Sequence, residues 1–115
     1  IFPDGLAFDA EGYMWITSIV SNRVIRLAPS GDYEILLEDF DPDHLAWVEE
    51  AYQAGEMDRP HMDGIKSRVL RSVSSLCFGG KDLRQLWFGC LLGDQVGLMD
   101  SPVMGRPPAH WSFPW

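Results

Sequence analysis

An all-β fold, made of two four-stranded antiparallel units with a helical insertion between them, is what this 115-residue sequence predicts. Three observations carry the reading. Residues 1–38 divide into short apolar runs separated by turn residues, residues 42–54 carry a helix pattern with its own start and stop signals, and the opening pattern returns about 70 residues later.

The first runs lie at 6–8, 13–17, 23–27 and 33–37, and their starts are 7, 10 and 10 residues apart. That is the spacing of an antiparallel meander. Asp9-Ala10-Glu11-Gly12, Ser21-Asn22 and Pro29-Ser30-Gly31-Asp32 supply the turns. Tyr13-Met14-Trp15-Ile16-Thr17 is large on both faces, which predicts a strand covered on both sides. Arg23, Arg26, Glu34 and Glu38 mark the later strands as outer ones that meet water.

Asp41-Pro42 offers an N-cap followed by proline at the first helical position, and Gly55 offers a stop, so a helix is expected over about 42–54. Leu45, Val48 and Tyr52, with Ala51 beside them, fall on one stripe, while Glu49, Glu50 and Gln53 face outward. Residues 56–72 read as a loop with one more helical turn, broken by Pro60 and Gly64. Because the meanders are complete without it, the helix should lie outside the sheets, against one end or flank.

The opening pattern then recurs. Gly5-Leu6-Ala7-Phe8 aligns with Ser75-Leu76-Cys77-Phe78 at an offset of 70, and Met14-Trp15-Ile16 and Val24 align with Leu86-Trp87-Phe88 and Val96 at 72. The second set of strands is expected at 73–78, 84–90, 95–99 and 109–113, the last carrying Trp111, Phe113 and Trp115 at period two. A repeated four-stranded unit is the signature of a β-propeller blade. Blades bury their faces only against neighbours, and two cannot close a ring. The division is therefore 1–38 as one blade, 39–72 as the insertion and 73–115 as the next blade, all within one larger propeller domain. Ile1 in place of an initiator Met, directly before the turn-like Pro3-Asp4-Gly5, likewise predicts that a natural start, and any signal peptide, lies outside this sequence.

Composition excludes other classes. With 46% hydrophobic and 23% charged residues the chain is neither disordered nor collagenous, and Gly89 and Gly93 interrupt its best apolar run far short of a membrane span. A net charge of -8 would repel nucleic-acid phosphates and anionic lipid, leaving metal ions and neutral molecules as the easier partners. Cys77 and Cys90 fall on adjacent strands with different pairing partners, which predicts buried, reduced thiols and a cytoplasmic setting.

The wording of the blades carries a resemblance. Phe2-Pro3-Asp4-Gly5-Leu6-Ala7-Phe8-Asp9-Ala10-Glu11-Gly12, Met14-Trp15-Ile16 and Asn22-Arg23-Val24-Ile25-Arg26-Leu27-Ala28-Pro29-Ser30-Gly31 resemble the senescence marker protein, gluconolactonase and luciferin-regenerating enzyme family. Ser74-Ser75-Leu76-Cys77-Phe78-Gly79-Gly80-Lys81-Asp82-Leu83 with Leu86-Trp87-Phe88 looks like that family's next blade. The resemblance covers 1–38 and 73–100, in the right order, and the insertion at 40–72 departs from it. It implies a six-bladed propeller, of which these residues are the C-terminal part, with one divalent cation on its axis, calcium or zinc, with magnesium or manganese as further choices. It also implies hydrolysis of a sugar lactone by the whole protein, and little or no activity in these residues alone.

Asp4 is the first candidate site residue. Pro3 suits the lip of an innermost strand and Gly5 lets the backbone pass close to the axis, so the Asp4 carboxylate can point into the channel. From the tripeptide alone Pro-Asp-Gly reads as a turn; the blade context shifts the reading toward an oxygen ligand for a hard cation. By resemblance Asp4 matches the family's metal-binding aspartate, also placed as general base. The family's other ligands, a glutamate in the first blade and an asparagine upstream of Pro-Asp-Gly, are not in this sequence. Ser74 occupies the matching position in the second blade, either lining the channel to bind a sugar hydroxyl or merely starting a strand. Thr17 and Ser18 end their strand near the channel mouth, with an ordinary structural role preferred.

Other signals fail. Asp39, Asp41 and Asp43 with Glu50 resemble a calcium loop, but His44 replaces the required glycine and Pro42 starts a helix. Gly79-Gly80-Lys81 lacks phosphate-loop spacing, no Gly-x-Ser-x-Gly is present, and His44, His61 and His110 are too dispersed for zinc, with exposed or capping roles expected. The function expected is thus part of a metal-dependent lactonase. Its alternatives are a non-catalytic propeller that binds calcium or a partner, and a self-contained β domain with no channel. Exposed blade faces should in addition make the chain self-associate.

Overall fold

In a computed structural model, which describes residues 2–114, the turn residues act where the sequence places them. Phe2–Phe8 (β1), Met14–Ile19 (β2), Arg23–Leu27 (β3) and Tyr33–Glu38 (β4) form one antiparallel sheet in the order β1-β2-β3-β4. Gly12, at a φ of 86°, makes the left-handed step that closes the first hairpin. A helix, α1 (Pro42–Ala54), begins where Asp41 accepts the His44 N–H at 2.8 Å and ends on Gly55 at a φ of 72°. One more short helix, α2 (Arg59–Asp63), follows. Val73–Gly79 (β5), Gln85–Cys90 (β6) and Gly97–Asp100 (β7) form the second antiparallel sheet.

The repeat read in the sequence extends to the pairing register. Leu6 opposite Ile16, Ala7 opposite Trp15 and Phe8 opposite Met14 return as Leu76 opposite Phe88, Cys77 opposite Trp87 and Phe78 opposite Leu86. Met14 opposite Leu27, Trp15 opposite Arg26 and Ile16 opposite Ile25 return as Leu86 opposite Met99, Trp87 opposite Leu98 and Phe88 opposite Gly97. Both sheets are therefore built to one plan, offset by 70 residues on the first strand and 72 on the next two.

Three expectations are corrected. The second unit has three strands, not four: Ala109–Ser112 is a 3-10 helix with Trp111 and Phe113 exposed. Pro107 and Pro108 just before it, and Pro114 just after, lack the N–H a ladder needs. Trp115 lies outside the described residues. Cys77 is exposed and Cys90 half-buried, both as free thiols, because the face of β5 that carries Cys77 is uncovered. Tyr52, expected on the packed stripe of α1, is mostly exposed and touches only an edge, 5.5 Å from the Phe2 ring.

Two clusters form the core. Trp15 and Val24 of the first sheet meet Val73, Leu76, Leu86 and Phe88 of the second, joined by Leu70 from the end of the insertion. Leu45 and Val48 of α1 pack on Val20, with Phe2, Ile19, Phe40 and Met57 at the margin, so α1 covers one end of the first sheet and stays outside the stack. Among the described residues no helix is long and apolar enough to cross a membrane.

The insertion is closed at its neck. Asp39, at the end of β4, accepts the N–H groups of Arg68, Val69 and Leu70 at 3.1, 2.7 and 2.8 Å, and Asn22 Oδ1 accepts the Val73 N–H at 3.0 Å. At the far end Gly105 pairs with Asp9, and the Arg106 N–H reaches the Phe8 carbonyl at 2.9 Å, tying the C-terminal segment to β1.

Burial acts to raise the carboxyls of Asp39 and Asp9, but it is outweighed in both. Backbone N–H groups hold Asp39 below its ordinary value of 3.8, and Trp15, Arg26 and the Tyr13 N–H do so for Asp9. A depressed folded value means that the stabilisation is complete above about pH 4 and is lost as pH falls through the lower folded values. Urea unfolding followed from pH 5 to pH 2 should show this acid loss. Asp39→Ala, which leaves three N–H groups without their acceptor, that of Leu70 in a buried position, should cost about 2–4 kcal/mol at pH 7 and flatten part of the slope.

Candidate functional site

The site is the seam where the edge strands of the two sheets, β1 and β5, run side by side. Gly5 makes that approach possible. A Cβ on Gly5 would lie 2.4 Å from the Ser74 carbonyl oxygen and 2.8 Å from the Ser75 Cα, closer than backbone atoms allow. The ladder is broken at the same point in each sheet, between Pro3 and Leu6 in the first and between Val73 and Ser75 in the second. Asp4 and Ser74 thus both sit in bulges, features that re-aim a side chain.

Thr17 fills the gap that the bulge leaves in β1. Its Oγ1 accepts the Gly5 N–H at 2.9 Å and donates to the Gly5 carbonyl at 3.3 Å. Ser18 Oγ accepts the Phe2 N–H at 2.9 Å and the Ser21 hydroxyl at 2.7 Å. Both side chains are fully buried, so neither reaches a channel mouth. In the second sheet the partners are exchanged. Ser75 stands in place of Gly5 and Gly89 in place of Thr17, and a Cβ on Gly89 would collide with the Ser75 hydroxyl.

Asp4 is exposed, and among the described residues its carboxylate has no hydrogen-bond or ion-pair partner. Ser74 is half-buried, and its hydroxyl reaches the Gly89 carbonyl only at 3.4 Å. The helix α1 borders this end of the seam through Phe2, two residues before Asp4. No group of three or more His, Cys, Asp or Glu side chains able to hold a metal occurs among the described residues. Asp4 is one oxygen donor and not a complete cation site.

A cavity of about 630 Å³ opens farther along the same seam, walled by Leu6, Phe8, Leu76, Phe78 and the segment from Arg106 to Pro108. It contains neither Asp4 nor Ser74. Its lining adds Arg106, Cys77 and Ser112 to aliphatic, aromatic and proline side chains but includes no carboxylate or imidazole, and Asp4, which carries a carboxylate free of partners among the described residues, is the better centre for metal-assisted chemistry.

Asp39, Asp41 and His61 have structural roles. Asp39 closes the insertion and Asp41 caps α1, so the acidic run there builds no calcium loop. His61 contacts Asp58 at 2.5 Å and stacks on Trp47 with centroids 4.1 Å apart, the expected capping role, and His110 is exposed. His44 departs from expectation. It is buried on α1 with Nε2 unpartnered, and burial, aided by Lys66, lowers its pKa.

Asp9, which sequence reasoning treated only as a turn residue, is the most heavily bonded carboxylate of the first sheet. It accepts the Glu11 and Tyr13 N–H groups, the Trp15 indole and Arg26 Nε at 2.9–3.0 Å. The signal was present: aspartate opening a turn, with Trp and Arg later on strands that bring them beside it.

No protein-family model matches the chain. Among curated proteins it is similar to regucalcin, with 28% identity to those of Bos taurus and Sus scrofa and 27% to that of Homo sapiens. Each match runs over 105 residues, 90% of this chain, and therefore takes in both sheets. The chain spans about a quarter of the length of these relatives, 26% in each case.

The seam geometry makes Gly5 its most constrained position. Gly5→Ala must push β1 away from β5, because the obstructing atoms are backbone. A loss of about 1–3 kcal/mol is expected in urea unfolding, whereas Gly12→Ala, whose Cβ would meet open space, should show only the cost of its turn conformation.

Proposed function

We propose that these residues are two consecutive blades of a six-bladed β-propeller, and that the whole protein is a divalent-metal-dependent hydrolase of sugar lactones. In this reading Asp4 is a metal ligand and general base, and Ser74 a substrate contact. The carrying observation is the position of Asp4: an exposed carboxylate without a partner among the described residues, aimed by a bulge on the edge strand that abuts the equivalent strand of the next sheet. The repeated register supports the blades, and the similarity to regucalcin supports the family.

A divalent cation, calcium or zinc, would polarise the ring-ester carbonyl. The chain's own part is narrower. Asp4 offers one oxygen as ligand and one to take a proton from water, and Gly5 holds the strand close enough for Ser74 to share the site. The Ser74 hydroxyl, held weakly by Gly89, is available to a sugar hydroxyl. The donors here do not make a whole cation site, so the remaining ligands belong to other parts of the protein and these residues by themselves hydrolyse no lactone. That single donor also favours a second reading, a propeller that binds calcium or a partner without turnover.

The two readings separate at Asp4 in the full-length protein, treated with chelator and restored with calcium or zinc. Asp4→Ala should lower gluconolactone hydrolysis by at least about 10²-fold, the usual loss with a general base. Asp4→Asn keeps one ligand oxygen but no base, so retained metal affinity with lost turnover supports the catalytic role. Parental rates in both variants refute it. A parental protein that binds calcium and hydrolyses no lactone leaves the second reading.

A further inference from the structure

We infer that the end of β2 and the turn that follows it are the positioning device of the Asp4 site, with Thr17, Ser18 and Asn22 as positioning residues that fix Asp4 and Ser74 together; this rests on the reading of Asp4 as a metal ligand. Three fully buried side chains reach from this short segment to the backbone on both sides of the seam. Ser18 Oγ accepts the Phe2 N–H, and Thr17 Oγ1 accepts the Gly5 N–H and donates to the Gly5 carbonyl, so the bulge is held on both sides of Asp4. Asn22 Oδ1 accepts the Val73 N–H at 3.0 Å, beside Ser74 on the opposite strand. The Asp4 carboxylate has no partner of its own among the described residues, so its backbone sets where it lies.

Backbone strain is concentrated at the same place. Among the described residues four other than glycine have positive φ, and three of them belong to this end of the seam: Val20 at 65°, Asn22 at 43° and Ser72, the residue before Val73, at 60°. For a β-branched residue such as Val20 that conformation is a true outlier. The Ser21 N–H closes the tight turn around it on the Ile19 carbonyl at 2.7 Å. Leu45 and Val48 of α1 pack against Val20, the Ser21 hydroxyl donates to Ser18 Oγ at 2.7 Å, and the Asn22 carbonyl accepts the Asp39 N–H at 3.0 Å, so the strained turn is enforced from every side. Asn22 Nδ2 is buried with no partner among the described residues. Strain and an unpartnered buried donor both lower stability, and their coincidence marks a position kept for what it holds in place. The device has two separable arms, since Thr17 and Ser18 act on the strand of the metal ligand and Asn22 on the strand of the substrate contact.

The test uses the full-length protein, treated with chelator and restored with calcium or zinc, and reads metal affinity by calorimetry, kcat and KM for gluconolactone, and the melting temperature. Thr17→Val keeps the shape of the side chain and removes both bonds to Gly5, so metal affinity or kcat should fall about 10- to 100-fold, the usual effect of losing a group that orients a ligand. Thr17→Ser returns the hydroxyl and should recover most of that loss. Asn22→Gly keeps the backbone conformation but frees the Val73 N–H, so KM should rise while metal affinity stays parental. A merely structural role would lower the melting temperatures and leave no such split between the two arms. If Thr17→Val does not fold, Ser18→Ala, which frees only the Phe2 N–H, replaces it, and if Asn22→Gly does not fold, the Thr17 arm decides alone. Parental metal affinity and kinetics in the folded variants, or a Thr17→Ser as impaired as Thr17→Val, beside an impaired Asp4→Ala, overturn the positioning role and leave the reading of Asp4 standing. A parental Asp4→Ala overturns both.

Discussion

Trp15 lies fully buried where the two sheets meet, and it can do so because Asp9 accepts its indole N–H at 2.9 Å. An indole N–H left unpartnered there would cost about 1–3 kcal/mol. Asp9 is itself buried, and its charge is offset by Arg26, which also reaches Glu11 at 2.6 Å and Glu34 at 3.5 Å and lies over the Tyr13 ring at 3.8 Å. The first hairpin and strands β3 and β4 are thus tied to one indole. In the second sheet Gly79 and Leu98 replace Asp9 and Arg26, the network is absent, and Trp87 stays at the surface.

Placement sorts the carboxylates of this acidic chain. Asp9 is held inside by donors, Asp39 by the backbone of the returning insertion, and Asp41 by the first turn of α1. Asp4 differs in that its strand leaves the ladder at that residue, and the strand across the seam is near enough that only glycine fits beside it. A site on this edge is shared between sheets by construction, so its chemistry depends on how closely they meet as well as on the carboxylate.

Much of this was legible in the sequence, for physical reasons. Short apolar runs broken by Gly, Pro, Asn and Asp gave seven strands, and Asp41-Pro42 with Gly55 bounded α1 within a residue, because caps and turns are local chemistry. The repeat forecast the register for the same reason that a strand has period two. The tail failed because alternating Trp111 and Phe113 satisfy a strand's side-chain pattern, while the flanking prolines deny its backbone pattern. The exposure of Cys77 was hidden because a period of two does not say which face a neighbour covers. Long-range polar contacts were the least legible. Nothing local to Asp39 announces three N–H groups some thirty residues later, and nothing local to Asn22 announces Val73.

The closed neck of the insertion has an evolutionary consequence. Asp39 and Asn22 fix where the chain leaves the first sheet and where it enters the second, independently of what lies between. The segment from Phe40 to Ser67 is thereby an exchangeable cassette. Doubling its length would add only about 0.6 kcal/mol to the entropy of closing the loop. Its first helix borders the end of β1 that carries Asp4. A lineage could therefore recast the surroundings of that carboxylate by trading cassettes of different size and shape, while the paired sheets and the seam between them stayed as they are.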